Sequence, residues 1–194
     1  MDDGSSDDSN NIISQFASEN EHIQVVQHSI NRGIGQAILS VHKNAEKENL
    51  CVISGDGESN VEELLECPSI DSNTFVSFYR TSKPSYTSYR KFLSFTNRLF
   101  NRLVLGIKMK DVNWTKVYKT EDVKHLNLDL TSALVESEIC FRIINRGIEV
   151  RELPSKYLDR ISGKSEGGSL KTLLRVAPEI FKLLLVVLRI KLGK

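Results

Sequence analysis

Short apolar runs alternating with stretches of helical periodicity constrain this chain more than any other feature. Leu50 to Ile53, Thr74 to Phe78 and Ile148 to Leu153 have the length and composition of buried strands, and His22 to Gln27 reads as a short strand through Ile23, Val25 and Val26. Asp8 or Ser9 caps a helix whose apolar face is Ile12, Ile13 and Phe16. Asn31-Arg32-Gly33-Ile34-Gly35 opens a second helix reaching about Lys47, with Ala37, Ile38, Val41 and Ala45 inward. Tyr89 to Leu105 is a long amphipathic helix stopped by Gly106, and Val135 to Asn145 is another ending at Gly147. Pro154 halts the last strand, and Leu170 to Leu192 is a leucine- and valine-rich helix interrupted by Pro178. Strands alternating with helices at this spacing predict an α/β fold with a parallel sheet and right-handed crossovers.

A chain of 194 residues buries a real core as one domain. Its net charge of +1 hides an asymmetry: residues 1–70 carry 13 Asp/Glu against 3 Lys/Arg, and the rest carries 12 against 23. Such a division suits a site holding a metal on one side and phosphates on the other, or is simply uneven surface charge. Cys51, Cys67 and Cys140 lack metal-ligand or redox spacing; Cys51 and Cys140 sit in apolar patterns and read as small buried hydrophobes, in keeping with reduced, intracellular chemistry. No basic region followed by an apolar stretch marks the N-terminus. Leu183 to Leu188, the longest purely apolar run near the C-terminus, is far short of the roughly 20 residues a spanning helix needs.

Five polar constellations punctuate this pattern. Asp2-Asp3-Gly4-Ser5-Ser6-Asp7 is a turn of the kind found where α/β sheets hold nucleotides, or else an acidic chain end. Asn31-Arg32-Gly33-Ile34-Gly35-Gln36-Ala37 brings backbone close to a ligand or a neighbouring segment, or makes only a tight turn. Gly55-Asp56-Gly57-Glu58 follows an apolar strand directly. Tyr89-Arg90-Lys91, with Ser94 and Asn97, precedes Lys110-Asp111-Val112-Asn113-Trp114. Glu136-Ser137-Glu138, Arg146-Gly147, Glu152-Leu153-Pro154 and Arg160-Ile161-Ser162-Gly163-Lys164-Ser165 close the set. Arg80, Arg90, Arg160 and Lys164 are the cations best suited to phosphate oxygens, and Gly163-Lys164-Ser165 adds backbone amides. Each taken singly is ordinary surface charge.

In this order and spacing, the set resembles glycosyltransferase family 2, most closely the subgroup that transfers sugars to polyprenyl phosphates, as dolichol-phosphate mannosyltransferases do. The resemblance implies a GT-A type, Rossmann-like, mostly parallel sheet flanked by helices. It places Asp2 and Asp3 against the base or ribose of a nucleotide-sugar donor, with Arg32, Asp56, Arg80, Arg90, Arg160, Lys164 and Ser165 around that donor. Asp56 matches the second aspartate of the family's metal motif, and Ser54 stands where the first would be, so Asp56 is the expected ligand of Mg²⁺ or Mn²⁺. Glu136, Glu138 and Asp111 fall where the family keeps its acidic base and sugar-pocket groups, although one glutamate at a helix start is explained by the helix dipole alone.

The resemblance also implies a chain that begins after the family's first strand and helix. Residues 1–168 then form the glycosyltransferase domain lacking its first βα unit, and 169–194 a C-terminal amphipathic helix. The expected activity is inverting transfer from a nucleotide-sugar to polyprenyl phosphate or a glycan, in cell-envelope or glycan biosynthesis. The alternative is a catalytically silent fragment acting as an interaction or membrane-associated module. Residues 160–194 hold 8 Lys/Arg against 2 Asp/Glu, so their helix either lies in a membrane interface or packs back on the sheet. The expected location is cytoplasmic, with a peripheral position at the cytoplasmic membrane face. No nucleic-acid partner is expected.

Overall fold

The computed structural model describes residues 1–82, 86–160 and 170–193. Four strands form one sheet in the order β1 (Asn49–Cys51), β3 (Lys116–Lys119), β2 (Thr74–Arg80) and β4 (Glu149–Ser155). β3 pairs antiparallel with both of its neighbours, whereas β2 and β4 pair in parallel from Thr74 opposite Glu149 to Arg80 opposite Ser155. Three of the four strands therefore run one way, and their carboxyl ends lie along one edge. Around them stand α1 (Ser9–Ser18), α2 (Ile34–Asn44), α3 (Ser88–Leu103), α4 (Thr120–Lys124), α5 (Val135–Asn145) and α6 (Leu170–Lys191), with a 3₁₀ turn at Val61–Leu64.

Alternation along β2 divides the interior. Phe75 joins Tyr118 of β3, Ile38 of α2, Ile139 and Ile143 of α5, and Leu183 and Val187 of α6 in the main core. Val76 and Phe78 turn to the other face and meet Ile70, Trp114, Val117 and Leu153. Phe75, Ile139 and Leu183 are each 1% exposed or less, and burying each contributes roughly 1.5–3 kcal/mol. The leucine-rich last helix thus packs on the sheet through one face. No described helix is long and apolar enough to cross a membrane.

Several elements depart from the sequence-based expectation for physical reasons. His22 to Gln27 forms no strand; it makes one parallel bridge, Asp2 with Gln27, through Asp2 N–H to Val26 O and His28 N–H to Asp2 O. β3 escapes the apolar pattern because its inward positions are Lys116 and Tyr118. β4 runs through Pro154 rather than stopping before it, which is permitted because β4 is an edge strand and needs no outward donor there. α6 likewise continues through Pro178, opposite an exposed Leu174. α1 buries no residue, and its Ile12 and Phe16 are exposed.

The thiols behave as packing groups. Burial pushes the Cys51 thiol up to about 12 and the Cys140 thiol to about 11, and all three cysteines are free.

Gly35 marks the tightest junction. A Cβ there would lie 1.9 Å from the Thr131 carbonyl oxygen. Thr131 is itself fixed by Glu179 of α6, whose carboxylate accepts the Thr131 and Ser132 N–H groups and the Thr131 hydroxyl. Gly35→Ala should therefore destabilise the fold by about 2 kcal/mol or more, read as a lower urea midpoint. His42, 4% exposed beside Tyr118, is held below its ordinary value of 6.5 by burial, opposed by Glu136. A depressed histidine supplies stability that is intact above 6.5 and lost as pH falls below it. Melting temperature should drop between pH 7 and pH 5, and His42→Leu should flatten that segment of the profile; equal slopes would contradict this assignment.

Candidate functional site

The carboxyl ends of β1, β2 and β4, with the chain entering β3, bring together polar groups from four segments. The loop after β1 is tied to the segment after β4 by an antiparallel Ser59–Tyr157 bridge and by Leu158 N–H to Glu58 O at 2.9 Å. Within that loop Asp56 Oδ1 accepts the Glu58 amide at 3.1 Å, and Gly57 takes the positive φ of 75° that the turn requires. Arg160 then spans two carboxylates. Its Nη2 donates to Asp56 Oδ2 at 2.7 Å and its Nε to Glu58 Oε1 at 3.1 Å.

Beside this fork, Arg80 at the end of β2 makes a two-pronged pair with Asp111, Nε to Oδ2 at 2.7 Å and Nη2 to Oδ1 at 2.9 Å. It also donates to the Tyr86 hydroxyl and lies 4.5 Å over the Trp114 ring. Burial alone would weaken its charge, but hydrogen bonding and attraction from Asp111, with Tyr86 and Glu58 adding, hold the guanidinium above its ordinary value. Arg90 sits 3.9 Å over the Tyr86 ring, and Tyr157 contacts both Tyr86 and Trp114. Trp114 Nε1 donates to Ser155 Oγ at 3.0 Å.

Lys116, 3% exposed, underpins the cluster. Its ammonium donates to Val112 O at 2.7 Å and Trp114 O at 2.8 Å and pairs with Glu136 at 2.8 Å. Burial opposes its charge, yet Glu136 keeps the ammonium above its usual range. Glu136 therefore acts on Asp111 and Trp114 through Lys116.

A cavity of about 680 Å³ opens next to Arg80 and Asp111, lined also by Tyr79, Thr81, Ser82, Lys91, Arg98 and Lys110. Four cations face a single carboxylate that Arg80 already engages. Lys91 and Arg98 belong to α3, which has no acidic residue and leaves Phe92, Phe95, Leu99 and Leu103 exposed along one stripe.

The remaining expected residues go elsewhere. Asp3 accepts the Arg32 and Gly33 amides at 3.0 and 2.7 Å and bonds His28 Nδ1 at 2.6 Å, while His28 Nε2 meets Ser40 Oγ at 2.8 Å. Burial opposes the Asp3 charge, but these bonds hold its carboxyl below the usual range. Arg32 donates to Gln36. Asp2, expected against the donor, is instead 3% exposed and accepts from the Ser5 amide and hydroxyl and from Gln27. Glu138, expected as a catalytic acid or base, is corrected more sharply. It is 0% exposed, its oxygens accept the Asp129 and Leu130 amides, and it pairs with Arg142 at 2.7 Å. A carboxylate so enclosed holds the loop at Asp129 and Leu130. Lys164 and Ser165 lie outside the described residues.

Sequence reasoning missed Tyr86, Arg98, Lys116 and Tyr157. For Tyr157 the signal was position, because it follows β4 on the same edge as Arg80.

A divalent ion suits the donor set at the loop. Asp56 and Glu58 present hard carboxylate oxygens to one shared cation, and Mg²⁺ commonly needs one or two protein carboxylates with phosphate oxygens completing its shell. Among the described residues no group of three or more His, Cys, Asp or Glu is assembled for a metal.

A mixed α/β sheet with helices on its faces and a polar cluster at the strands' carboxyl edge defines a GT-A type domain. The family model described as Glycosyl transferase family 2 matches residues 1–105, and the chain belongs to that family. The family's chemistry is sugar transfer from a nucleotide-sugar to an acceptor, commonly with a divalent metal. No curated protein matches the chain.

Two substitutions separate site from scaffold. Glu138→Gln should cost about 2–4 kcal/mol of stability, because it leaves Arg142 and buried amides short of charge, and should leave nucleotide binding intact once folded. Arg80→Lys should preserve folding and weaken nucleoside diphosphate binding by roughly ten-fold, since an ammonium cannot reproduce the fork and ring contacts. Calorimetric titration beside urea unfolding checks both.

Proposed function

We propose that this chain transfers a sugar, with inversion, from a nucleotide-sugar to a polyprenyl phosphate, as the dolichol-phosphate mannosyltransferase-like subgroup does. The observation that carries the reading is the junction of the Asp56–Glu58–Arg160 fork with the Arg80–Asp111 pair, beside a cationic cavity on α3. The donor diphosphate belongs at the fork, within reach of Arg160, with Arg80 and Arg90 as further donor contacts. When bound at Asp56, Mg²⁺ or Mn²⁺ supplies charge neutralisation for the departing nucleoside diphosphate. Asp3 shapes the Arg32–Gly33 turn rather than touching the base.

Lys91, Arg98 and Lys110 draw the acceptor phosphate into the cavity and orient one of its oxygens toward the anomeric carbon. A phosphate oxygen is already anionic, so the step needs no strong base. Asp111, clasped by Arg80, lines the sugar pocket, and Glu136 positions it through Lys116. The apolar stripe of α3, flanked by Arg90, Lys91, Arg98 and Arg102, suits the surface of an anionic membrane from which a polyprenyl chain is drawn. On this reading the protein works peripherally at the cytoplasmic membrane face.

The test is product formation. Purified chain incubated with radiolabelled nucleotide-sugars, polyprenyl phosphate in anionic vesicles and Mg²⁺ or Mn²⁺ should yield lipid-linked sugar. Asp56→Asn should lower the rate by about 100-fold or more. Absence of product across donors would overturn the assignment in favour of a silent module, which the Ser54 position favours.

A further inference from the structure

Arg160 bridges the two carboxylates of the loop after β1. Its guanidinium lies between Asp56 and Glu58, one nitrogen to each carboxylate, so a single positive group already satisfies both. Ser54, where the family motif would carry its first aspartate, is exposed, and Glu58 is 6% exposed. The two oxygens that converge on one cation thus come from Asp56 and Glu58. Both ends of the device are pinned, since Leu158 N–H bonds Glu58 O and Tyr157 bridges Ser59, leaving the Arg160 side chain to reach across a fixed gap.

Building on the donor-site reading above, we propose that Asp56 and Glu58 form the cation-binding pair, and that Arg160 is a resident counter-cation which the metal must displace. Charge and exposure favour the exchange. Arg160 and Asp56 side chains retain 24% and 20% exposure, so their pair is only partly withdrawn from water and is readily broken. A divalent ion brings twice the charge to the same oxygens. The released guanidinium then matches the oxygens of a diphosphate bound to that ion. Metal alone binds weakly because it must expel Arg160, whereas metal with diphosphate binds well because the expelled group gains a new partner. Arg160 thereby couples the two ligands and disfavours a bare metal site.

The coupling predicts effects of opposite sign, which misfolding cannot imitate. Free Mn²⁺, followed by electron paramagnetic resonance without nucleotide, should bind Arg160→Ala about five- to ten-fold more tightly than the unaltered chain. Uridine or guanosine diphosphate, titrated with saturating Mn²⁺, should bind that variant about ten-fold more weakly. Glu58→Gln should weaken Mn²⁺ by about ten-fold, and Ser54→Ala should leave it unchanged. Unchanged or weaker Mn²⁺ binding by Arg160→Ala overturns the proposal, as does a loss with Ser54→Ala in place of Glu58→Gln. These readouts need no turnover. A chain that shows the Mn²⁺ pattern but makes no lipid-linked sugar would sustain this inference while refuting the proposed function.

Discussion

One buried ammonium organises the carboxyl edge of the sheet. Lys116 enters β3 at 3% exposure and is tolerated there because Glu136 balances its charge and two carbonyls accept its protons. Those carbonyls belong to Val112 and Trp114, so the same contact that neutralises the lysine fixes the segment carrying Asp111 and Trp114. Arg80 reaches the site from β2 and takes its orientation from these two residues. Without Lys116 the Val112 and Trp114 carbonyls would lose their buried donor, and the segment carrying Asp111 would be held only by its contacts to Arg80, Glu152 and Ser155.

The acidic residues sort into two kinds by what they bind. Asp3, Glu138 and Glu179 accept backbone amides and hold turns or helix junctions. Asp56, Glu58 and Asp111 face guanidinium groups at the strand ends. Side-chain bonds from His28 to Asp3 and from Ser132 to Glu179, with the neighbouring amides, keep the charged form of both favoured despite burial. Within the acidic stretch of residues 1–70, Asp2 and Asp3 hold turns and Asp56 and Glu58 face Arg160, while most of the other carboxylates are exposed, so that stretch is only partly a metal wall.

Much of the architecture was legible in the sequence, because α5 and β2 carry unbroken apolar patterns and their bounds fall close to those patterns. β3 was hidden because its inward residues are a lysine and a tyrosine, which periodicity reads as outward. β4 was cut short at Pro154 because edge position, which makes that proline harmless, is a property of the assembled sheet. Asp56, Arg80 and Asp111, expected in the site from their sequence positions, do come to one edge of the sheet, because each lies at or just beyond a strand of that edge. Glu138 could not be told from Glu136 in the sequence, since two glutamates at a helix start look equivalent until the loop from Asp129 to Leu130 closes over one of them. The role of Glu136 required a partner 20 residues away that no local pattern announces.

Hydrogen–deuterium exchange on the unaltered chain tests the central claim that donors bind at the edge organised by Lys116. Adding Mn²⁺ with uridine or guanosine diphosphate should slow exchange together in residues 53–60, 110–115 and 155–160, and leave α5 unchanged. Protection absent from all three segments, with ligand bound elsewhere on the chain, would contradict the account.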